Sequence, residues 1–148
     1  MAGEIYYASF DFELIFNYLV FMKILIIGPY GIGNTIMALP MYKKLRGLFP
    51  QSRIDLLALL PAVFSMAQEI EDFKTLFNNI FFINGIRTIM KLRHERYDYS
   101  IAAFPSAKIH YNLLNFLTGA KKRVGAVYSD STIKQGNFFN NIKVPVIS

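Results

Sequence analysis

The stretch MKILIIGPYGIGNTIMALPMYKKLRGLFP, Met22 to Pro50, decides how the rest of the chain is read. Lys23 to Gly28 is an almost unbroken apolar run, the pattern of a strand covered on both faces. Gly28, Gly31 and Gly33 then punctuate a turn, and a helix is predicted from Thr35 to Phe49. Arg53 to Leu59 is a second apolar strand ending before Pro61, which closes one βαβ unit. Downstream the alternation continues with a helical stretch from Pro61 to Phe77, a strand Asn79 to Ile83, a helix Ile86 to Glu95, a strand Tyr99 to Phe104 and a helix Ser106 to Leu117. Lys122 to Val127 supplies a fifth strand. Alternation of this length implies an α/β fold with a doubly wound parallel sheet. Ser106 after Pro105 suits a helix N-cap, and Gly119 a helix stop. Beyond Val127, YSDSTIKQGNFFNN is rich in turn formers, and IKVPVIS is too short to build another domain.

In a doubly wound sheet, ligands bind beyond the carboxyl ends of the strands where the strand order reverses, and the Gly28 to Asn34 turn lies there. Exposed backbone N–H groups and the positive end of the following helix would favour a phosphate, a carboxylate or a polarised hydroxyl. The alternative is structural: glycines that permit a tight turn and close packing of helix on strand. The spacing is G-x-x-G-x-G, the reverse of a dinucleotide fingerprint; Pro29 lacks an N–H, and the second strand ends LLALLP without a carboxylate for a ribose. Asp55 sits at that strand's beginning instead. This argues against a nicotinamide or flavin dinucleotide, and the absence of a Gly-Lys-Ser/Thr triplet excludes a P-loop. There is no G-x-S-x-G elbow, no H-E-x-x-H, and no pattern of aromatics set among basic residues that would mark a nucleic-acid partner. His94, within KLRHERYD, and His110 read as structural or solvated, and Asp98 as a turn or cap residue remote from the glycine turn.

Composition narrows the chemistry further. The chain has 148 residues, 53% of them hydrophobic, which is one domain with ample core. It has no cysteine and two histidines, so a disulfide framework, a thiol nucleophile and cysteine metal sites are excluded, and no metal site is expected. Sixteen Lys and Arg face ten Asp and Glu. The first 21 residues hold Glu4, Asp11 and Glu13 without a basic residue, so the remainder carries sixteen against seven, a net of +9 suited to an anionic ligand.

Residues 1–21 form an extension of their own. Tyr6, Ala8, Phe10, Phe12, Leu14, Phe16 and Tyr18 alternate with polar residues as in a strand, while Phe10, Leu14, Tyr18 and Phe21 share a helical face. The apolar run from Leu14 to Ile27 is interrupted by Asn17 and Lys23 and is too short to span a bilayer. An acidic start does not fit a secretory signal. Because MKILIIG reads as a natural protein start, Met22 is a candidate true initiator, with 22–148 as the domain proper.

The combination MKILIIGPYGIGNTIMALPMYKKLRGLFPQSRIDLLA, then RYDYSIAAFPSAKIHYNLLNFLTGAKKRVGA, resembles the N-terminal half of family 9 glycosyltransferases, the lipopolysaccharide heptosyltransferases and their relatives. The matching positions are Gly33, Pro40, Leu45, Phe49, Pro50, Ile54 and Asp55, then Tyr97, Asp98, Ser106, Gly119, Ala120, Arg123 and Gly125. The resemblance implies a Rossmann-like, acceptor-side half of a GT-B enzyme, with a second domain holding a nucleotide-sugar donor as co-substrate. It implies an inverting transfer without metal or permanently bound cofactor, in which a general base deprotonates the acceptor hydroxyl. The family's acidic residue falls on Asn34, an amide that is no base near neutral pH but a good N-cap.

On the same resemblance, Gly31, Gly33, Thr35, Ser106, Lys121, Lys122 and Arg123 are the expected acceptor contacts, and Arg87, Lys91, Arg93 and Arg96 form a second basic cluster. The expected acceptor is a glycan of lipopolysaccharide type. The chain ends at Ser148 before a donor-binding domain, so it is expected to be inactive alone, and a donor-domain polypeptide or a second copy of the chain are the candidate partners. Cytoplasmic residence follows, with at most peripheral contact at the inner face of the membrane. Two other classes stay open: a non-catalytic scaffold subunit of a split transferase, and a small nucleotide-cofactor reductase.

Overall fold

The computed structural model describes residues 21–103, 109–127 and 136–146. Within them, in chain order, lie β1 (Lys23–Ile27), α1 (Ile32–Met37), α2 (Leu39–Leu48), β2 (Arg53–Ala58), α3 (Pro61–Glu69), α4 (Glu71–Leu76), β3 (Asn79–Phe82), α5 (Gly85–Glu95), β4 (Tyr99–Ala102), α6 (Ile109–Leu117), β5 (Lys122–Val127), a 3-10 turn (Asn137–Phe139) and β6 (Ile142–Pro145). The strands form one sheet in the order β3-β2-β1-β4-β5-β6, and every neighbouring pair is parallel. The fold is therefore α/β, a Rossmann-like doubly wound sheet. The order reverses between β1 and β4.

Strand alternation sorts the core into two layers. Ile24, Ile26, Ile54 and Leu56 point to one side, against Tyr42 of α2 and Phe73, Leu76 and Phe77 around α4. Leu25, Ile27 and Leu57 point to the other, against Leu92 of α5, Tyr97, and Tyr111 of α6. β1 is paired on both edges and packed on both faces, which is why its sequence is a continuous apolar run rather than an alternating one.

Two expectations are corrected and one strand is added. The helix expected from Thr35 to Phe49 starts earlier, at Ile32, and divides at Ala38. Pro40 has no N–H for the Ile36 carbonyl, as a continuous helix would require, so the chain restarts with Pro40 in the first turn of α2. The stretch from Pro61 to Phe77 is likewise two helices, separated at Ile70, whose backbone is extended. IKVPVIS builds no new domain but adds a sixth strand, with Val124 to Val127 of β5 paired to Ile142 to Pro145. Pro145 is tolerated because β6 is the outermost strand.

Gly119 ends α6 at φ 71°, as expected of a helix stop. The expectations for residues 1–20, for Phe104, for the Ser106 cap and for the turn-rich 128–135 lie outside the described residues. Among the described residues no helix is long and apolar enough to cross a membrane.

Candidate functional site

The turn from β1 to α1 occupies the carboxyl edge of the sheet at the point where the strand order reverses, and its three glycines have three different physical reasons. Gly28 is a packing glycine. Its N–H donates to Leu57 O at 2.9 Å, and a Cβ there would lie 3.0 Å from that same carbonyl oxygen. Gly31 is a conformational glycine, at φ 96° and ψ 150° at the N-cap of α1, a backbone region closed to side chains. Gly33 has neither reason. It lies in helical backbone, is exposed, and a Cβ on it would meet nothing within 4 Å.

Two of the turn's donors are already used. The Tyr30 N–H donates to the Tyr111 hydroxyl at 2.9 Å, the Gly28 N–H is held by Leu57, and Pro29 has none. Among the bonds of the described residues, what remains for a ligand is the short run of amides from Gly31 to Gly33, which opens the helix without carbonyl partners one turn back. The turn is held from below by Thr35, fully buried, whose hydroxyl donates to Gly31 O at 2.8 Å. Thr35 thus stiffens the turn from inside, with its side chain turned away from solvent.

Asn34 is not the N-cap, because the helix has already begun. Its Nδ2 donates to Tyr30 O at 3.0 Å, so the amide closes the turn on itself. Beside Tyr30, an apolar groove of about 270 Å³ opens between the turn, the ends of β2 and β3, and α6. Tyr30, Leu59, Ile83, His110, Leu113 and Leu117 line it. Sequence reasoning missed both the groove and Tyr111, since Tyr30 and Tyr111 are 81 residues apart and meet in a register that only the folded sheet defines.

The basic triplet is elsewhere. Lys122 and Arg123 open β5 opposite Tyr99 and Ser100, at the amino ends of the strands, whereas the glycine turn follows the carboxyl end of β1. The separation is a strand length, about 10 Å or more. Lys121 Nζ binds Asp98 Oδ1 at 2.8 Å, Lys122 Nζ binds the Tyr99 hydroxyl at 3.0 Å, and Arg123 donates to Phe139 O and Ala120 O at 2.7 and 3.0 Å. These cations serve the amino edge of the sheet and do not share a site with Gly31 and Gly33. Ser106, outside the described residues, is not placed.

Asp55 anchors a second amino-edge cluster. Fully buried, it accepts from Tyr97 Oη at 2.6 Å, Arg53 Nε at 2.8 Å and Asn79 Nδ2 at 3.0 Å, and Arg53 passes on to Glu95 at 2.8 Å. Burial and the Asp55 carboxylate push the Tyr97 phenol far above its ordinary value, so it remains a donor. The cluster clamps β2, β3 and α5 together. No three His, Cys, Asp or Glu side chains gather as a metal site would require among the described residues.

The sequence matches no family model and no curated protein. The fold, however, is similar to E. coli heptosyltransferase WaaC solved with ADP, at TM-score 0.66 and 14% identity, covering 86% of this chain and 42% of that one. It is also similar to the same enzyme solved with ADP-2-deoxy-2-fluoro heptose, at TM-score 0.62 and 14% identity, covering 86% of this chain and 43% of that one. The chain spans about two-fifths of the length of these structures, and the likeness establishes a glycosyltransferase-like, Rossmann-like fold.

Proposed function

We propose that this chain is the acceptor-binding half of a heptosyltransferase-like glycosyltransferase, which completes its site with a donor-binding half. The observation that carries the reading is Gly33. A glycine inside a helix is destabilising by roughly 0.5–1 kcal/mol relative to alanine, and this one has no steric or conformational need for its missing side chain. It leaves backbone bare at the strand-order reversal, where doubly wound sheets receive ligands. The acceptor hydroxyl approaches the Gly31 to Gly33 amides, and the donor is a nucleoside diphosphate sugar, as the ADP and ADP-heptose analogue held by the structural neighbours support.

The Asn34 amide cannot take the acceptor's proton. Tyr30, Ile32, Ile36 and Met37 are exposed beside the turn, Met37 at 75%, and give a donor-binding polypeptide an apolar surface to pack against.

The test is an NMR titration of the chain with a lipopolysaccharide core saccharide, following the Gly31, Ile32 and Gly33 amides. Shifts confined to these amides, abolished by Gly33→Ala and retained in Gly47→Ala, are expected. Gly47 is the matched control because it is also exposed, helical and sterically open. Saturation that leaves these amides unmoved, or equal behaviour of the two variants, would sink the reading.

A further inference from the structure

The groove beside the glycine turn holds one side chain able to carry a proton. His110 enters it from the first turn of α6, and apart from Tyr30 the rest of the lining is leucine and isoleucine. The imidazole is exposed and lies tilted against the Tyr111 ring, with centroids 4.8 Å apart. Tyr111 is fixed at its other end, where the hydroxyl accepts the Tyr30 N–H at 2.9 Å, one residue before Gly31. The Tyr111 ring is thus a strut between the imidazole and the start of the free amides. Among the described residues neither ring nitrogen of His110 has a hydrogen-bond or ion-pair partner.

Elimination over the described residues leads to the same side chain. Asp55, Glu95 and Asp98 are bound at the amino edge of the sheet, the first two by Arg53 and the third by Lys121. Glu71 and Asp72 pair with Lys74 and Lys43. Glu69 is the last residue of α3, about 12 Å along that helix from its start at the carboxyl edge. None of these carboxylates lines the groove, and no lysine or arginine does. The other histidine, His94, lies in a separate hollow with Met90, Arg93 and Arg96, next to the amino-edge Glu95. Imidazole is the side chain suited to taking up and returning a proton near neutral pH.

We propose that His110 is the general base of the transfer, an inference that rests on the transferase reading above. An acceptor held at the Gly31 to Gly33 amides turns its hydroxyl to the groove. A ring nitrogen of His110 takes the hydroxyl proton as the oxygen bonds to the anomeric carbon of the nucleoside diphosphate sugar. In the same step the bond from that carbon to the diphosphate breaks, and the nucleoside diphosphate departs with the electron pair. The imidazolium then returns its proton to water. The base thus comes from the helix after β4, and Asn34 is left to close the turn.

NMR of the full chain during titration with the core saccharide follows the His110 ring nitrogens beside the Gly31, Ile32 and Gly33 amides. The unprotonated nitrogen is expected to shift together with the amides, because it gains a hydroxyl donor. Shifted amides beside an unmoved imidazole would overturn the base and leave the transferase reading standing, whereas unmoved amides at saturation would sink both. With a donor-binding half and ADP-heptose present, His110→Ala is expected to lower the transfer rate by roughly 10²–10⁴-fold, with part of the loss restored by free imidazole. His94→Ala, equally exposed, should leave the rate unchanged. A carboxylate introduced by Asn34→Asp acts in parallel, so its fold gain should be larger in His110→Ala than in the parent. An undiminished rate in His110→Ala, a loss that imidazole does not restore, or equal fold gains in the two backgrounds would each overturn the proposal.

Discussion

The Tyr111 hydroxyl oxygen accepts the Tyr30 amide proton at 2.9 Å, and this bond ties α6 to the glycine turn across 81 residues of sequence. Burial raises the Tyr111 pKa, so the phenol stays neutral through the physiological range. Tyr111→Phe keeps the ring and removes the acceptor. The expected outcome is a loss of about 1–2 kcal/mol in urea unfolding, with faster hydrogen exchange at Tyr30. Unchanged exchange there would mean that the bond does not hold the turn.

Asn34→Asp exchanges a donor for a carboxylate that cannot bond Tyr30 O, while the helix N-terminus favours the new charge by roughly 0.3–1 kcal/mol. The two effects oppose, and the net change in stability is expected to be within about 1 kcal/mol. With a donor-binding domain present, the variant is expected to transfer sugar faster, with a rate that falls as acid protonates the new group. Stopped-time product assays across pH read this. A rate no higher than that of the parent would show that the base is not the only missing part.

Asp55→Ala strips the buried partners of Tyr97, Arg53 and Asn79 at once. Removing one partner of a buried charged network is expected to cost about 3–5 kcal/mol, read as a large drop in the denaturation midpoint. A small drop, below about 1 kcal/mol, would reduce the cluster to a surface-like ion pair.

Acid should loosen the amino edge. Hydrogen bonding to Arg53 holds the Glu95 carboxyl below its usual range. Asp98 is pushed up by partial burial, but the Lys121 ammonium and the Lys23 amide outweigh this and hold it low. Both folded-state values lie below the unfolded ones, so this stability is fully present above the ordinary carboxylate range and is lost as pH falls through it. Urea midpoints measured downward from neutral pH should fall there, and less so in Lys121→Ala. That variant itself costs under about 1 kcal/mol at neutral pH because the lysine is largely exposed. An identical acid profile in the two proteins would show that Asp98 is not held low by Lys121.

Gly125→Ala should be disruptive for a reason the sequence conceals. A Cβ there would collide with the Asn140 side chain, which bonds Asn112 Oδ1 at 2.6 Å and accepts from Asn115 at 2.8 Å. Overpacking of this kind is expected to cost about 1–3 kcal/mol, and Asn140→Ala in the same chain should recover part of it. No loss in the single variant would mean that the asparagine cluster shifts freely.

The sequence by itself determined the α/β class, the βαβ start and the place of the glycine turn. These are local matters: a continuous apolar run such as Lys23 to Gly28 is stable only as a covered strand, and Gly31 supplies a φ that other residues resist. Only the tertiary structure decided which residues share the site. Lys121, Lys122 and Arg123 looked like partners of the turn, but parallel pairing of β4 with β5 puts them at the opposite edge. Thr35 turned inward and Tyr111 arrived from a distant helix. β6 was invisible because four residues with one proline form a strand only when β5 offers them a ladder. Local patterns report what a segment can become, and long-range pairing decides what it meets.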